Sequence, residues 1–229
     1  MQRPELEIFR RSFMLQGLPE AELERLAASL RRRTYQRGEV VCHLGDPGQT
    51  LHLVRQGHLK IVVPTETGEE GVLTVVGPGD LFGEMALLDG GPRSATVVAL
   101  EPVETATLSR DDFLLLLRRS PAAVEGLLSS LAQAIRRLSD EVTDLMFLDL
   151  RGRLVKKLLE LAETHGRASD GAIEIQVPLT QEELAGMIGA TRPRVNRLLG
   201  FFEDRGVIQQ RGRRIVVLDP TALGRWVSA

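Results

Sequence analysis

The sequence predicts an α+β fold in three successive parts: an N-terminal β-roll of the jelly-roll type, one long helix, and a C-terminal winged helix-turn-helix. Three observations point there. Short apolar runs alternate with Gly-rich turns from Tyr35 to Leu108. A heptad seam of apolar residues runs from Val124 to Leu145. A capping box at Thr180–Glu183 opens a pair of helices that leads into a basic hairpin. The expected boundaries are 1–120 for the roll, 121–149 for the long helix and hinge, and 150–229 for the last domain.

Residues 1 to about 30 read as helical, because Leu23, Leu26, Ala27 and Leu30 recur at helical spacing after Pro19. Arg31, Arg32 and Arg33 read as the solvated end of that helix. Strands are expected at Glu39–His43, Leu51–Arg55, Leu59–Pro64, Val72–Val76, Thr96–Leu100 and Val103–Leu108. Turns are expected at Gly45–Gly48, Gln56–Gly57, Thr67–Gly68 and Gly77–Asp80. Asp111–Arg118 is a short helix, and Pro121 opens the long one. Along it Val124, Leu128, Leu131, Ile135, Leu138, Val142 and Leu145 step by fours and threes, flanked by Arg136, Arg137, Asp140, Glu141 and Asp144. A seam with charged flanks predicts a coiled-coil homodimer rather than a helix buried in one domain. Asp149 is placed to cap a further helix, Arg151–Thr164, with a hinge at the junction. His165–Gly171 reads as a loop and Ala172–Val177 as a strand.

Late in the roll, Phe82–Val97 (FGEMALLDGGPRSATV) gathers residues of unusual chemistry. Gly83 lets backbone approach a ligand closely, and Glu84–Leu88 favours one short helical turn whose first N–H groups attract phosphate. Arg93 offers a fixed fork of donors to phosphate oxygens, and Ser94 adds a hydroxyl. Glu84 can accept hydrogen bonds from a sugar hydroxyl. An anion cradle beside a carboxylate suits a phosphate joined to a ribose. The same spacing also suits a Gly-rich surface turn with a solvated Arg and Glu.

In the C-terminal part, Leu184, Met187 and Ile188 give the first helix its apolar face, and Gly189–Ala190 makes the turn. Thr191 then caps a second helix with Pro193 in its first turn, where proline is tolerated. Val195, Leu198, Leu199 and Phe202 face inward, while Pro193, Asn196, Arg197 and Gly200 lie opposite and Arg192 projects from the tip. Between Ala190 and Arg214 stand seven arginines against two acids, Glu203 and Asp204, a local balance of +5. Arginine suits phosphates and guanine edges alike. Val207–Gln210 and Arg213–Leu218 flank Arg211–Gly212 as a hairpin wing. The pattern describes a binder of double-stranded DNA.

These segments resemble the cAMP receptor protein (CRP/FNR) family of bacterial transcription regulators, over nearly the whole chain. Gly83, Glu84, Ala86, Leu87, Arg93, Ser94 and Ala95 fall on that family's phosphate-binding cassette. The resemblance implies a cyclic-nucleotide-binding roll and cAMP as allosteric ligand. The contacts it implies come from Gly83, Glu84, Met85, Ala86, Arg93, Ser94 and Ala95, with Glu84 on the ribose 2′-hydroxyl and Arg93 and Ser94 on the cyclic phosphate. Leu138 and Ser139 occupy the positions that reach the adenine, Ser139 from the partner subunit, and Leu138 replaces the family's Thr. The long helix is the expected dimer interface and back wall of the nucleotide site. Expected DNA contacts are Thr180, Thr191, Arg192, Pro193, Arg194, Asn196, Arg197, Arg211 and Arg213, on an inverted repeat. Pro193 stands where the family has a Glu, so one base pair of the half-site loses a carboxylate reader. RNA polymerase is the further partner the resemblance implies.

The whole-chain balance, 29 basic against 31 acidic residues for a net charge of −2, says nothing about nucleic acid by itself. A single cysteine, Cys42, excludes an intrachain disulfide framework and a Cys-ligated iron–sulfur cluster. Cys42 beside His43 reads as a core residue next to a strand end rather than a metal pair. The four histidines (His43, His52, His58, His165) are scattered, which argues against a metal-dependent enzyme. No apolar run reaches membrane-spanning length and no signal-peptide pattern opens the chain, so a cytoplasmic protein without membrane contact is expected.

Overall fold

A computed structural model of the chain describes residues 4–12, 14–65, 70–169 and 171–227. Contacts divide it into two compact units, residues 1–63 with 74–137, and residues 64–73 with 138–229. The division falls within the long helix, whereas the boundaries expected from the sequence follow helix ends.

In the first unit, α1 (Pro4–Arg11) and α2 (Glu20–Ser29) are separate helices. The single helical stretch expected over the first thirty residues is broken by a tight turn in which the Leu15 N–H donates to the Ser12 carbonyl at 3.0 Å. Pro19 then starts α2 from φ −57°, where its missing N–H costs nothing. The strands follow as β1 (Arg31–Tyr35), β2 (Val40–Cys42), β3 (Thr50–Gln56), β4 (Leu59–Pro64), β5 (Glu70–Val76) and β6 (Leu81–Phe82). After α3 (Glu84–Asp89) come β7 (Thr96–Ala99), β8 (Val103–Ser109), α4 (Arg110–Arg119) and α5 (Pro121–Phe147). One sheet has the order β1–β8–β3–β6 and the other β2–β7–β4–β5. The turn expected at Thr67–Gly68 lies outside the described residues.

The triple arginine is corrected from helix end to edge strand. Arg31, Arg32 and Arg33 pair antiparallel with Thr107, Ala106 and Thr105 of β8. Their exposed side chains blunt a free sheet edge, and Arg32 and Arg55 both pair with Glu104 on β8. β6, two residues long, carried no sequence signal; its register sets Phe82 opposite His52 and Leu81 opposite Leu53.

β3 is buried on both faces. Leu51 and Leu53 join a cluster with Phe9, Leu23, Leu26, Leu87, Phe113 and Leu127, while Val54 joins a second one with Leu59, Phe82, Val97 and Val103. α3 and α5 are thus anchored to the roll by Leu87 and Leu127. Further along α5 most heptad residues are not covered within the chain: Leu128, Ile135, Leu138, Val142 and Leu145 are 49–65% exposed, whereas Leu131 is half-buried against the first cluster.

In the second unit, Asp149 caps α6 (Leu150–His165), accepting from the Gly152 N–H at 2.7 Å. Lys156 bridges to Asp144 at 2.6 Å and Lys157 to Glu141 at 3.1 Å, tying α6 to the last turns of α5. Then come β9 (Gly166–Ser169), β10 (Ala172–Ile175), α7 (Gln181–Ile188), α8 (Arg192–Glu203), β11 (Ile208–Arg211), β12 (Arg214–Val217) and α9 (Pro220–Gly224). The sheet order is β11–β12–β10–β9. β9 replaces the loop expected after His165. Its residues are small or charged and exposed, so no apolar alternation announced it; pairing with β10 creates the strand.

Candidate nucleotide and DNA sites

The cassette is built around Arg93. Although charged, this side chain is only 6% exposed. Its Nη1 donates to the Gly83 carbonyl at 2.9 Å, and its Nη2 to the Thr50 carbonyl at 2.7 Å and the Thr50 hydroxyl at 3.2 Å. Its Nε is buried without a hydrogen-bond partner. These acceptors are neutral dipoles, so a full positive charge is held below the surface with one N–H unspent. A buried charge in that condition suits an anion. The backbone of Arg93 is fixed as firmly: its N–H donates to Asp46 at 2.8 Å and its carbonyl accepts from Gly45 at 2.9 Å.

Two glycines make room for this arrangement. Gly83 has φ +89°, and a Cβ there would lie 2.2 Å from Arg93 Nη1. A Cβ on Gly48 would meet the Cβ of Ala86 at 2.2 Å, so the 45–48 turn packs directly on α3. α3 has six residues, so its dipole is short and Arg93 dominates the local field.

Glu84 opens α3, half-buried. Burial raises its pKa above the ordinary carboxylate value; Arg93 and backbone N–H groups act in the opposite sense. Ser94 is exposed, and its hydroxyl lies 3.8 Å from the sulfur of Met85, itself 51% exposed. Ala86 and Ala95 are buried beneath. Gly83, Glu84, Met85, Ala86, Arg93, Ser94 and Ala95 therefore gather on α3 and the approach to β7. Leu138 (62% exposed) and Ser139 are exposed residues of α5.

Sequence reasoning missed the layer under Arg93. Thr50 holds the guanidinium, and its hydroxyl lies 3.2 Å from Nε2 of His52. His52 is buried, stacked on Phe82 at 4.7 Å, and 3.4 Å from the Thr105 hydroxyl through Nδ1. Burial first, then Arg93 and Arg33, lower its pKa to about 4, so it is neutral. Only the strand register, absent from the sequence pattern, brings these residues under the cassette. Cys42, half-buried on β2, has its thiol pKa raised by burial, and among the described residues no group of three or more His, Cys, Asp or Glu is placed to hold a metal.

The second unit carries the candidate DNA surface. The capping box forms as expected: the Thr180 hydroxyl accepts from the Glu183 N–H at 3.1 Å and the Thr180 N–H donates to the Glu183 carboxylate at 2.7 Å, to which the hydroxyl also donates at 2.8 Å. That hydroxyl is thus spent on the helix start. Thr191 stands at the N-cap of α8, but its side chain makes no capping bond. Val195, Leu199 and Phe202 are fully buried, while Arg192, Pro193, Arg194, Asn196 and Arg197 are exposed together. Trp226 packs edge-on against Phe201, and Arg205 lies 3.5 Å over the Phe201 ring, closing the far end of α8. In the wing, Gly212 at φ +64° and Arg213 form the turn between β11 and β12, with Arg211 and Arg213 exposed. Between wing and helices lies a groove of about 390 Å³ whose lining includes Thr180, Gln181, Arg192, Gln210 and Arg213. No helix among the described residues is long and apolar enough to cross a membrane.

Comparison with known proteins finds a known kind of domain in each half of the chain. Residues 32–120 match the cyclic nucleotide-binding domain, and residues 152–226 match the Crp-like helix-turn-helix domain. A CRP-like cAMP-activated global transcriptional regulator of Mycobacterium tuberculosis is 35% identical over 219 residues, covering 96% of this chain and 98% of that protein. The cyclic AMP receptor protein of Thermus thermophilus is 35% identical over 196 residues, covering 86% and 88%. Among solved structures, a CRP-family transcriptional regulator from Thermus thermophilus superposes with a TM-score of 0.72 at 27% identity, covering 86% of this chain and 97% of that one. The c-di-GMP responsive global regulator CLP of Xanthomonas campestris does so with a TM-score of 0.73 at 25% identity, covering 87% and 99%. The chain belongs to the cAMP receptor protein family, whose members are DNA-binding transcription regulators with a cyclic nucleotide-binding domain and not enzymes.

Proposed function

We propose that this protein is a homodimeric, sequence-specific transcription regulator whose DNA binding is controlled by cAMP. The observation that carries the ligand reading is Arg93, a buried cation satisfied by neutral carbonyls with its Nε unpartnered. A cyclic phosphate supplies the counter-charge this group lacks. Glu84, beside it and free of an arginine salt bridge among the described residues, accepts from a ribose hydroxyl. Ser94 stands at the exposed rim as a further phosphate donor. The family relationship assigns Leu138 and Ser139 to the base, Ser139 from the partner subunit.

The dimer reading rests on the α5 seam. Five large aliphatic residues at heptad spacing are 49–65% exposed in the single chain, an arrangement that pairing of two copies removes from water. The DNA reading rests on the exposed row Arg192, Arg194, Asn196 and Arg197 on α8, with Arg211 and Arg213 on the wing. Arg192 and Arg197 read guanines, and the wing arginines hold phosphates. At a promoter, RNA polymerase is the partner the family relationship supports.

Calorimetry with cAMP, cGMP and c-di-GMP tests the ligand. One cAMP per subunit is expected, and Arg93→Ala costs binding about 2–4 kcal/mol. Absence of heat with millimolar cAMP on the wild-type protein contradicts the reading. A second reading, regulation without a ligand, is favoured by Leu138: an apolar residue on the seam tightens the dimer helices whether or not nucleotide is present.

A further inference from the structure

Four polar side chains on three elements of the second unit form one connected relay. The Glu203 carboxylate, at the end of α8, accepts from the Gln210 backbone N–H at 2.9 Å and from Gln210 Nε2 at 2.9 Å. Gln210 Oε1, on β11, accepts from Gln181 Nε2 at 3.3 Å. The same Gln181 nitrogen, at the start of α7, donates to Asn196 Oδ1 on α8 at 3.1 Å.

The direction of this relay follows from its acidic end. An ionised carboxylate only accepts hydrogen bonds, so Gln210 must present its NH₂ to Glu203. Its oxygen then faces Gln181, which must present NH₂ in turn. Gln181 spends one hydrogen on Gln210 and the other on Asn196. Asn196 is left with its oxygen engaged and its two N–H donors unspent within the relay. Reversing any one amide sets two oxygens or two NH₂ groups face to face. The bonds from Gln210 also lower the Glu203 pKa, which keeps the acidic end charged.

We propose that Glu203, Gln210 and Gln181 fix the amide of Asn196 so that it reads DNA as a hydrogen-bond donor, selecting a base that presents an acceptor in the major groove and rejecting cytosine. This rests on α8 being the recognition helix, as proposed above. Asn196 lies one turn beyond Arg192 and next to Arg197, on the exposed face. A free asparagine shows either amide atom and tolerates several edges. Guanine, adenine and thymine each carry at least one major-groove acceptor, whereas cytosine carries only an amino donor. Glu203 and Gln210 touch no base in this scheme; they are positioning residues, and Asn196 is the reader. The relay also joins wing, first helix and recognition helix, so a reader otherwise free to rotate is held by two other elements.

The test is selection of preferred half-sites from randomised double-stranded DNA by the full-length protein at about 0.15 M salt, with saturating cAMP. It compares wild type, Asn196→Asp, Asn196→Ala and Glu203→Gln, with melting temperatures measured in parallel. For wild type, one base position of the half-site excludes cytosine by about fivefold or more. Asn196→Asp, which replaces donors by acceptors, moves that same position toward cytosine. Asn196→Ala flattens it. Glu203→Gln unlocks the amides and weakens the preference there alone, leaving the positions read by Arg192 and Arg197 unchanged. The relay is overturned if Asn196→Asp weakens all sequences equally without changing any base preference, or if Glu203→Gln leaves the pattern intact while wild type still selects an inverted repeat. A wild-type protein that selects no sequence at all overturns the DNA reading itself.

Discussion

Arg93 shows how one residue sets the character of its surroundings. Its charge sits under the cassette, among groups whose titration is moved chiefly by burial. His52, below Thr50, is neutral with a pKa of about 4 against an ordinary 6.5. Between these values the unfolded chain binds a proton that the native chain refuses. Stability from this residue is therefore full above pH 6.5 and falls as pH drops toward 4, by up to about 3 kcal/mol. Glu84 works in the opposite direction, because its raised pKa favours the protonated native form on acidification. His52→Phe keeps a ring beside Phe82 and removes the titration. Urea unfolding of both proteins across this window is expected to give a flatter acid slope for the variant; an unchanged slope contradicts the account. The cassette residues were legible in the sequence because glycine, arginine, serine and glutamate at fixed spacing carry the chemistry themselves. Thr50 and His52 were not, since their role comes from strand register. Gln181 was visible only as part of a helix start, and its bond to Asn196 depends on how α7 and α8 cross.

Among the elements, α5 carries the most consequence. Its 27 residues span about 40 Å, and five of the seven heptad residues read from the sequence are exposed along it. Leu131→Glu with Val142→Glu places like charges along the paired seam. Sedimentation at micromolar concentration is expected to give a dimer for wild type and a monomer for the double variant. A monomeric wild type contradicts the proposal. Leu138 is the finer probe. Leu in place of Thr adds about 1–2 kcal/mol of apolar burial to a paired seam. If this stabilises the DNA-competent arrangement without nucleotide, Leu138→Thr lowers affinity in the absence of cAMP and enlarges the cAMP effect. Equal cAMP effects in both proteins contradict it. At the junction, Asp149→Ala removes the cap on α6 and costs about 0.5–2 kcal/mol in thermal unfolding. The long helix and the Asp149 cap of α6 were readable because periodicity and capping are local signals. β1 and β9 were not, because arginines and small residues become strands only by pairing with β8 and β10.

At the scale of the molecule, one chain carries a buried cation in the cassette and an exposed row of arginines on α8, which the proposed function assigns to a nucleotide phosphate and to DNA. A ligand shifts the DNA-binding equilibrium only by its differential affinity for the two states, typically about 5- to 150-fold. The decisive measurement is a titration of labelled inverted-repeat DNA at about 0.15 M salt, with and without saturating cAMP, for wild type and Arg93→Ala. Wild type is expected to bind specifically and measurably without cAMP and to tighten by less than about 100-fold when cAMP is added, while Arg93→Ala shows no response to cAMP. Wild-type affinity that is the same with and without cAMP, or an Arg93→Ala protein that responds as fully as wild type, contradicts the proposal.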